Sequence, residues 1–226
     1  MSGARENILG KVRRALGKTQ TDERALADAQ AYIDAHAQGP RPSLPADLVG
    51  RFVQRATDME STVERIAGRS EIPRAVSRYL DTIDASAVAP GVRDQHRAGV
   101  CWPEFGDLDW AGANLDIRVR PTVGDDILGV TGVFCAIAET GTLVVLSTAD
   151  TPTATTLLPE THVAVVPANR IVAGMEEAFA LIRKERGMLP RAVNLISGPS
   201  RTGDIEQTIV VGAHGPYRVH ILVLEG

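Results

Sequence analysis

The sequence is poor in cysteine. Its two cysteines, Cys101 and Cys135, lie far apart, and neither belongs to a C-x-x-C motif or a Cys/His pair. Two isolated cysteines exclude a disulfide framework, and they exclude a zinc or iron–sulfur site built from this chain alone. Cys135 lies in an apolar run, where a free cysteine usually behaves as a small hydrophobic residue. We therefore expect a reduced protein with no intrinsic metal or redox cofactor.

Long apolar runs and an excess of basic charge are also missing. No apolar run approaches the roughly 20 residues that span a bilayer, and the charged N-terminus does not resemble a signal peptide. The formal net charge is -4. The basic residues near the N-terminus are more typical of a solvated helix face than of a polyanion contact. We expect a cytoplasmic protein with no membrane span and no nucleic-acid partner.

What is present is the composition of a globular chain, with 44% hydrophobic and 23% charged residues. Residues 5–16 and 22–36 show helical periodicity, and a proline-rich stretch, 39–45, predicts a linker. We therefore predict an N-terminal helical arm and linker over 1–44, and an α/β domain over 45–226. Because a short helix cannot bury its apolar stripe alone, the arm either packs on the main domain or docks on another subunit.

In the main domain the periodicity predicts helices and strands in alternation. One helix is expected from Pro45 to a C-cap at Gly68, and another from Ile72-Pro73. After Ala85, short apolar runs predict strands, and Ala173 to Arg186 predicts a helix. The predicted strands cover 87–89, 99–102, 115–119, 133–138, 143–146, 162–166, 192–196 and 219–224. This order favours a largely parallel α/β sheet with some antiparallel additions.

Three polar segments stand out, and we interpret them as one site. The first is Glu139 with Thr140-Gly141-Thr142, the second runs from Ser197 to Glu206, and the third is His214-Gly-Pro. Ligands of open α/β sheets collect at the carboxyl ends of the strands, and the second segment directly follows a predicted strand. Within it, Arg201 offers a fork for a carboxylate or phosphate. The candidate ligand-binding residues are Thr140, Gly141, Thr142, Ser200, Arg201, Thr202, Asp204 and Glu206.

Two further side chains are candidates for proton transfer. Glu139 could be a general base, a nucleophile or a carboxylate that holds its loop together, and Arg201 would be its natural partner if the loops meet. His214 is either a proton-transfer group or a structural residue of a tight turn. Trp102 and Trp110 flank an acidic loop containing Glu104, Asp107 and Asp109. We interpret the two tryptophans as core or lid aromatic residues and the loop as solvated. No P-loop or dinucleotide fingerprint is present.

Together, the stretches A-I-A-E-T-G-T-L, S-G-P-S-R-T-G-D-I-E and G-A-H-G-P, with the closing strand H-I-L-V-L, resemble the LUD domain. More narrowly, they resemble the lactate-utilisation protein C family, whose opening helix is similar to I-L-G-K-V-R-R-A-L. The resemblance covers roughly residues 47–225. It implies a three-layer α/β sandwich like that of sugar-phosphate isomerases and CoA-transferases. It also implies a place in a multi-subunit system that oxidises L-lactate to pyruvate, with iron–sulfur clusters on partner subunits.

Three functions are compatible with these observations. The first is a cluster-free accessory or substrate-handling subunit, in which Arg201 binds a small anionic ligand and Glu139 and His214 position groups or move protons. The second is an independent enzyme acting on a phosphorylated sugar or CoA ester. The third is a non-catalytic assembly or regulatory module that docks through its N-terminal arm. The sequence does not separate the first from the third.

Overall fold

A computed structural model describes residues 2–17, 22–83, 97–205 and 208–226. The chain divides into two compact units, Met1–Pro42 and Ser43–Gly226. The first unit contains the two expected helices, α1 (Ser2–Ala15) and α2 (Glu23–Ala35). Asp22 caps α2 by accepting hydrogen bonds from the backbone N–H groups of Arg24 and Ala25. The large apolar side chains of both helices are exposed: Ile8, Leu9, Val12, Leu26, Tyr32 and Ile33.

The described residues of the second unit form twelve strands and four helices. The strands are, in chain order, β1 (Thr62–Ile66), β2 (Ala98–Cys101), β3 (Asp116–Val119), β4 (Leu128–Gly132), β5 (Cys135–Ile137), β6 (Thr142–Leu146), β7 (Thr161–Pro167), β8 (Ile171–Val172), β9 (Val193–Ile196), β10 (Arg201–Ile205), β11 (Thr208–Val211) and β12 (Arg218–Leu224). The helices are α3 (Leu48–Asp58), α4 (Ile72–Asp81), α5 (Ala154–Leu157) and α6 (Met175–Arg186). Short 3-10 turns link several of them.

A six-stranded sheet of order β1-β12-β7-β4-β2-β3 forms the centre, and all its neighbouring strands are parallel. A second, four-stranded sheet of order β8-β5-β6-β9 contains the β5–β6 hairpin. Strands β10 and β11 form a separate antiparallel ribbon. The predicted α/β fold with a largely parallel sheet, antiparallel additions and an N-terminal helical arm is confirmed.

The parallel sheet is covered on both faces, which is why its strands are almost continuously apolar. On β7, Val163 and Val165 pack in the cluster that contains α4, whereas Ala164 and Val166 pack in the cluster that contains α3. The second sheet shares the α3 side through Ala136, Ala138 and Leu143. The opposite face of the β5–β6 hairpin packs against Ala178 and Ile182 of α6. The layers are therefore, in order, helix α4, the parallel sheet, helix α3 together with the hairpin sheet, and the outer helix α6.

The expectation of one helix from Pro45 to Gly68 is wrong. Helix α3 ends at Asp58, and Glu60 adopts a left-handed conformation with φ 66° that turns the chain into β1. Met59, Val63 and Ile66 fit helical spacing only by coincidence, because β1 gains parallel pairing to β12 and a buried place for Ile66. Gly68 is extended, with φ -157°, and is not a C-cap.

Other differences come from pairings between distant parts of the chain. Strand β4 was not predicted, because two glycines dilute its apolar pattern. Gly129 is required there, since a Cβ would lie 2.5 Å from the Thr155 carbonyl oxygen. The predicted strand 192–196 is β9, and it pairs antiparallel with β6, so the assumption that the second polar segment follows a strand of the parallel sheet is wrong. The strand predicted at 87–89 lies outside the described residues.

Two histidines are buried in the parallel sheet. Nε2 of His162 lies 2.8 Å from Oγ1 of Thr131. Nδ1 of His220 lies 2.8 Å from Oγ1 of Thr62, and its ring stacks on Tyr79 at a centroid distance of 4.0 Å. Desolvation lowers the pKa of each imidazole from 6.5 to about 4. Both histidines are therefore neutral packing groups near pH 7.

This burial predicts a pH-dependent stability. Between about pH 6.5 and 4 the unfolded chain protonates these imidazoles and the folded chain does not. The free energy of unfolding should therefore fall with falling pH by up to about 1.4 kcal/mol per pH unit for each histidine. His162→Gln should reduce this slope when urea unfolding is measured across the window. The exposed control His36→Gln should not, and an unchanged slope in His162→Gln would contradict the prediction.

Candidate functional site

The three polar segments lie together, around the carboxyl-terminal end of α3. Gly141, with φ 70°, approaches this end so closely that a Cβ would lie 2.5 Å from the carbonyl carbon of Arg55. Gly198, with φ 79°, lies against Met59, and a Cβ there would overlap the Met59 carbonyl oxygen. Because both glycines allow backbone to pack on backbone, the hairpin turn and the second segment are fixed to the same helix end.

Direct hydrogen bonds join the segments to one another. Oγ1 of Thr142 lies 2.7 Å from Oγ of Ser197 and 2.6 Å from Oγ1 of Thr140, which links the first segment to the second. The Ser200 N–H donates to the Pro216 carbonyl at 2.9 Å, which links the second to the third. The structure therefore brings the three segments into one cluster.

The charged side chains of this cluster do not form the expected ion pair. Arg201 donates to Oε1 of Glu60 at 2.8 Å and to the Met59 carbonyl at 3.1 Å, so its partner is Glu60 and not Glu139. Glu139 lies in the hairpin turn, where its backbone N–H donates to the Ala173 carbonyl. His214 is exposed.

Of the remaining candidates in the second segment, Thr202 is half-buried in β10. Asp204 lies in β10, and its side chain falls outside the described part. Glu206 lies outside the described residues altogether. None of these positions adds a charged group to the described part of the cluster.

The cluster lies at the amino end of the parallel sheet. Met59 and Glu60 precede β1, and Pro216 precedes β12, so both connections enter the sheet beside the cluster. Ligands of open α/β sheets bind at the opposite, carboxyl end. The described contacts of the cluster are those of a structural junction between α3, the hairpin and the ribbon.

A cavity of about 360 Å³ lies at the carboxyl end of the same sheet. Segments that follow β2, β4 and β6, together with the last residue of α6, line it: Trp102, Pro103, Glu104, Gly132, Val133, Phe134, Leu146, Thr148, Asp150, Thr151 and Arg186. The chain leaves β2 toward β3 on one side, and it leaves β4 toward β7 on the other. The cleft between β2 and β4 is thus the topological switch point of the sheet, where such folds bind ligands. We call this space the switch-point cavity.

Glu104 is held in the switch-point cavity against the backbone of Gly132. A Cβ on residue 132 would overlap the carboxylate, so any residue other than glycine would require the end of the Glu104 side chain to move. Desolvation raises the pKa of Glu104, although a hydrogen bond from the Gly132 backbone and the charge of Arg69 lower it in part. The ionised carboxylate is therefore less stable here than in water.

Trp102 lines the cavity, and its indole N–H is an unused hydrogen-bond donor buried beneath the cavity surface. Its side chain is only 5% exposed, and Nε1 is buried without a partner among the described residues. Trp110, in contrast, donates from Nε1 to the Phe105 carbonyl at 2.9 Å. A buried donor without a partner costs roughly 1–3 kcal/mol, so Trp102 is a favourable contact for a bound acceptor.

Arg186 supplies the positive charge of the cavity. Its guanidinium lies 5.8 Å from the centroid of the Phe134 ring. Arg170 also lies over this ring, at 4.6 Å, but it is committed to an ion pair with Glu185 at 2.6 Å. Arg186 makes no ion pair within the described part of the chain. Its fork is therefore available to an anion.

The sequence analysis drew attention to part of the switch-point cavity, namely Trp102 and Glu104. Trp102 and Trp110 are buried in the core, and the acidic loop between them is largely exposed, as the sequence interpretation expects. The carboxylate of Glu104 in that loop also lies against the Gly132 backbone, which the sequence does not indicate. The sequence feature that indicates this site is a carboxylate, Glu104, just beyond the end of the predicted strand 99–102. No local pattern could have added Gly132 and Arg186, because they reach the cavity through the strand order.

No group of three or more metal-ligating side chains that could hold a metal ion occurs among the described residues. In the same ranges, no helix is long and apolar enough to cross a membrane.

Comparison with known proteins places the chain in a family. The LUD domain profile matches residues 109–224. The lactate utilization protein C of Geobacillus sp. (strain WCH70) is 36% identical over 182 residues, which cover 69% of this chain and 76% of that protein. The chain belongs to the LUD domain family. Within it, the chain groups with the lactate utilization protein C sequences, as the resemblance of its motifs implied.

Other relatives match over shorter ranges. The lactate utilization protein C of Bacillus subtilis (strain 168) is 41% identical over 132 residues, covering 54% of this chain and 53% of that protein. The protein of the same name from Bacillus licheniformis is 36% identical over 129 residues, covering 55% and 53%. The chain spans about half the length of these two relatives.

A solved structure supports the fold. The crystal structure of a DUF162 family protein from Deinococcus radiodurans superposes with a TM-score of 0.55 over 81% of this chain and 99% of that one. At 23% sequence identity, this likeness bears on the fold alone.

The close packing at the end of α3 predicts that replacing a glycine there destabilises the fold more than replacing a glycine at an open position. Gly141→Ala adds a backbone collision to left-handed strain, whereas Gly187→Ala, at φ 73°, has no atom within 4 Å of the new Cβ and carries the strain alone. Gly187→Ala should cost about 1–2 kcal/mol, and Gly141→Ala about 1–3 kcal/mol more. Urea unfolding of both variants measures the difference. Equal losses would show that the close approach is not a constraint.

The raised pKa of Glu104 predicts that the fold becomes more stable when the charge of this side chain is removed. Because its folded pKa lies above its ordinary value of 4.5, stability is lost as the pH rises through the folded pKa. Glu104→Gln should therefore raise the midpoint of thermal unfolding at pH 7, and the gain should vanish below about pH 4.5. The control Glu176→Gln, outside the cavity, should not show this pH-dependent gain. A lower midpoint for Glu104→Gln at pH 7 would contradict the prediction.

Proposed function

We propose that this chain is the cluster-free, substrate-handling component of a lactate-utilisation system that oxidises L-lactate to pyruvate in the cytoplasm. The observation that carries the proposal is the 36% identity across 76% of a protein named for lactate utilisation. Family membership supports the general role in lactate utilisation. The specific reaction and the division of labour between subunits are the proposal.

Oxidation of lactate to pyruvate removes two electrons and two protons from the substrate, so an electron acceptor is needed. We assign this role to iron–sulfur proteins of the same system. The two cysteines of this chain are buried and separate, and desolvation raises the pKa of each thiol to about 11. Such thiols are poorly suited to bind a cluster or to exchange electrons. This supports a role in holding substrate rather than in carrying electrons.

A second function, subunit docking, is favoured by the N-terminal unit. The apolar side chains of α1 and α2 are exposed, with Ile8 at 63% and Ile33 at 58%. A helix of this length gains most of its stability by packing an apolar face. Docking of this arm on a partner is compatible with substrate handling in the second unit.

The proposal is tested in the native cells. A strain lacking this chain should fail to grow on L-lactate and should grow normally on pyruvate. Tagged protein purified from lactate-grown cells should co-elute with iron-containing proteins and support lactate-dependent reduction of a dye. If the deletion strain grew on L-lactate like its parent, the proposal would be refuted.

The docking function predicts a separable defect. The double variant Val12→Glu/Ile33→Glu places charges on the apolar side of both helices and should abolish co-elution of the partners. Because neither side chain is buried, the thermal unfolding of the second unit should not change. The control Lys11→Glu/Gln30→Glu changes exposed polar positions and should retain the partners. Full retention by the first variant would exclude the arm as the docking element.

A further inference from the structure

We propose that the switch-point cavity binds a small monocarboxylic acid of the 2-hydroxy or 2-oxo class, whose carboxylate is held by Arg186 and the indole N–H of Trp102. The inference rests on the proposed function and gives it a site. It moves the expected carboxylate ligand from Arg201, at the amino end of the sheet, to Arg186 at the carboxyl end.

The size of the cavity limits the ligand to a small molecule. Its volume of about 360 Å³ corresponds to roughly a dozen water molecules, at ~30 Å³ each in the liquid. This lies near the lower end of ligand pockets. A three-carbon acid fits with a few waters, whereas the whole of a CoA ester does not.

The donors of the cavity match a carboxylate. Arg186 offers a planar fork with no competing ion pair in the described ranges, and a carboxylate can accept two parallel hydrogen bonds from it. Nε1 of Trp102, buried and without a described partner, offers a single directed donor. An acceptor from the ligand would remove the cost of this unsatisfied group.

The charge balance selects a monoanion. Glu104 and Asp150 line the same cavity as Arg186, so one cation faces two carboxylates. A phosphate dianion would meet this negative pair with only one positive partner. A monocarboxylate needs a single cation, and Val133, Phe134 and Leu146 provide an apolar wall for its short carbon chain. This balance argues against the phosphorylated sugars that the sequence left open.

Glu104 is placed to meet the second functional group of the ligand. While it is ionised it can accept a hydrogen bond from a hydroxyl group next to the carboxylate, and once protonated it can donate one to a keto oxygen. Desolvation raises the pKa of Glu104 and so makes that protonation easier than in water. Arg69, which is paired with Asp107, and the thiol of Cys101 are its other titratable neighbours.

The test is calorimetric titration of the full chain with L-lactate, pyruvate and inorganic phosphate. L-Lactate or pyruvate should bind, and phosphate should not. Arg186→Gln should weaken binding at least about tenfold, equivalent to ~1.4 kcal/mol. Trp102→Phe, which removes the N–H and keeps an aromatic ring, should weaken it several-fold. Arg183→Gln, one turn earlier on α6, and Arg201→Gln should bind like the unaltered chain.

Three results would overturn the cavity assignment: no binding of either acid, preferential binding of phosphate, or binding lost in Arg201→Gln and kept in Arg186→Gln. Complementation of the deletion strain distinguishes a failure of the cavity assignment from a failure of the proposed function. If the unaltered chain restores growth on L-lactate and Arg186→Gln restores it equally, the cavity assignment fails and the function stands. If the strain needs no chain at all, the function fails.

Discussion

The close approach of backbone to backbone at the end of α3 is the constraint on which the second unit depends. Gly141 and Gly198 both press on this helix end, and neither position has room for a Cβ. They fix the turn of the β5–β6 hairpin at the amino end of the parallel sheet. The other end of the hairpin then carries Phe134 and Leu146 into the wall of the switch-point cavity. Since β6 has five residues, at ~3.4 Å per residue its first and last residues lie roughly 14 Å apart.

This geometry gives the polar motifs a role that their sequence did not suggest. Threonine and serine hydroxyls link the hairpin turn to the segment before β10, and the glycines let backbone pack on backbone. Arg201 closes the junction by pairing with Glu60. An ion pair this exposed adds little stability by itself. The family motif therefore sets the position of the hairpin, and the hairpin shapes the opposite end of the sheet.

The parts of the fold that the sequence predicted are those with strong local patterns. Strands β7 and β12 are long apolar runs, and α6 has an apolar stripe and basic residues in its last turn. Strand β1 was missed because Met59, Val63 and Ile66 also fit a helix, and only pairing with β12 decides between the two. The location of the cavity depends on the order of the strands in the sheet, and that order is set by contacts between distant parts of the chain. Trp102 and Gly132 become neighbours because β2 pairs with β4, and no local pattern encodes that.

The contrast between the two ends of the sheet indicates where ligand binding belongs. At the amino end, the guanidinium of Arg201 and the hydroxyls of Thr140, Thr142 and Ser197 have partners within the fold. At the carboxyl end, one cavity is lined by Glu104, whose pKa desolvation raises, by Trp102, whose buried indole N–H has no described partner, and by Arg186, whose guanidinium is exposed. Folded chains rarely keep a buried donor without a partner unless another requirement maintains it. A bound monocarboxylate that reached both donors would give the guanidinium a partner and would turn the cost of the unpartnered indole into binding free energy.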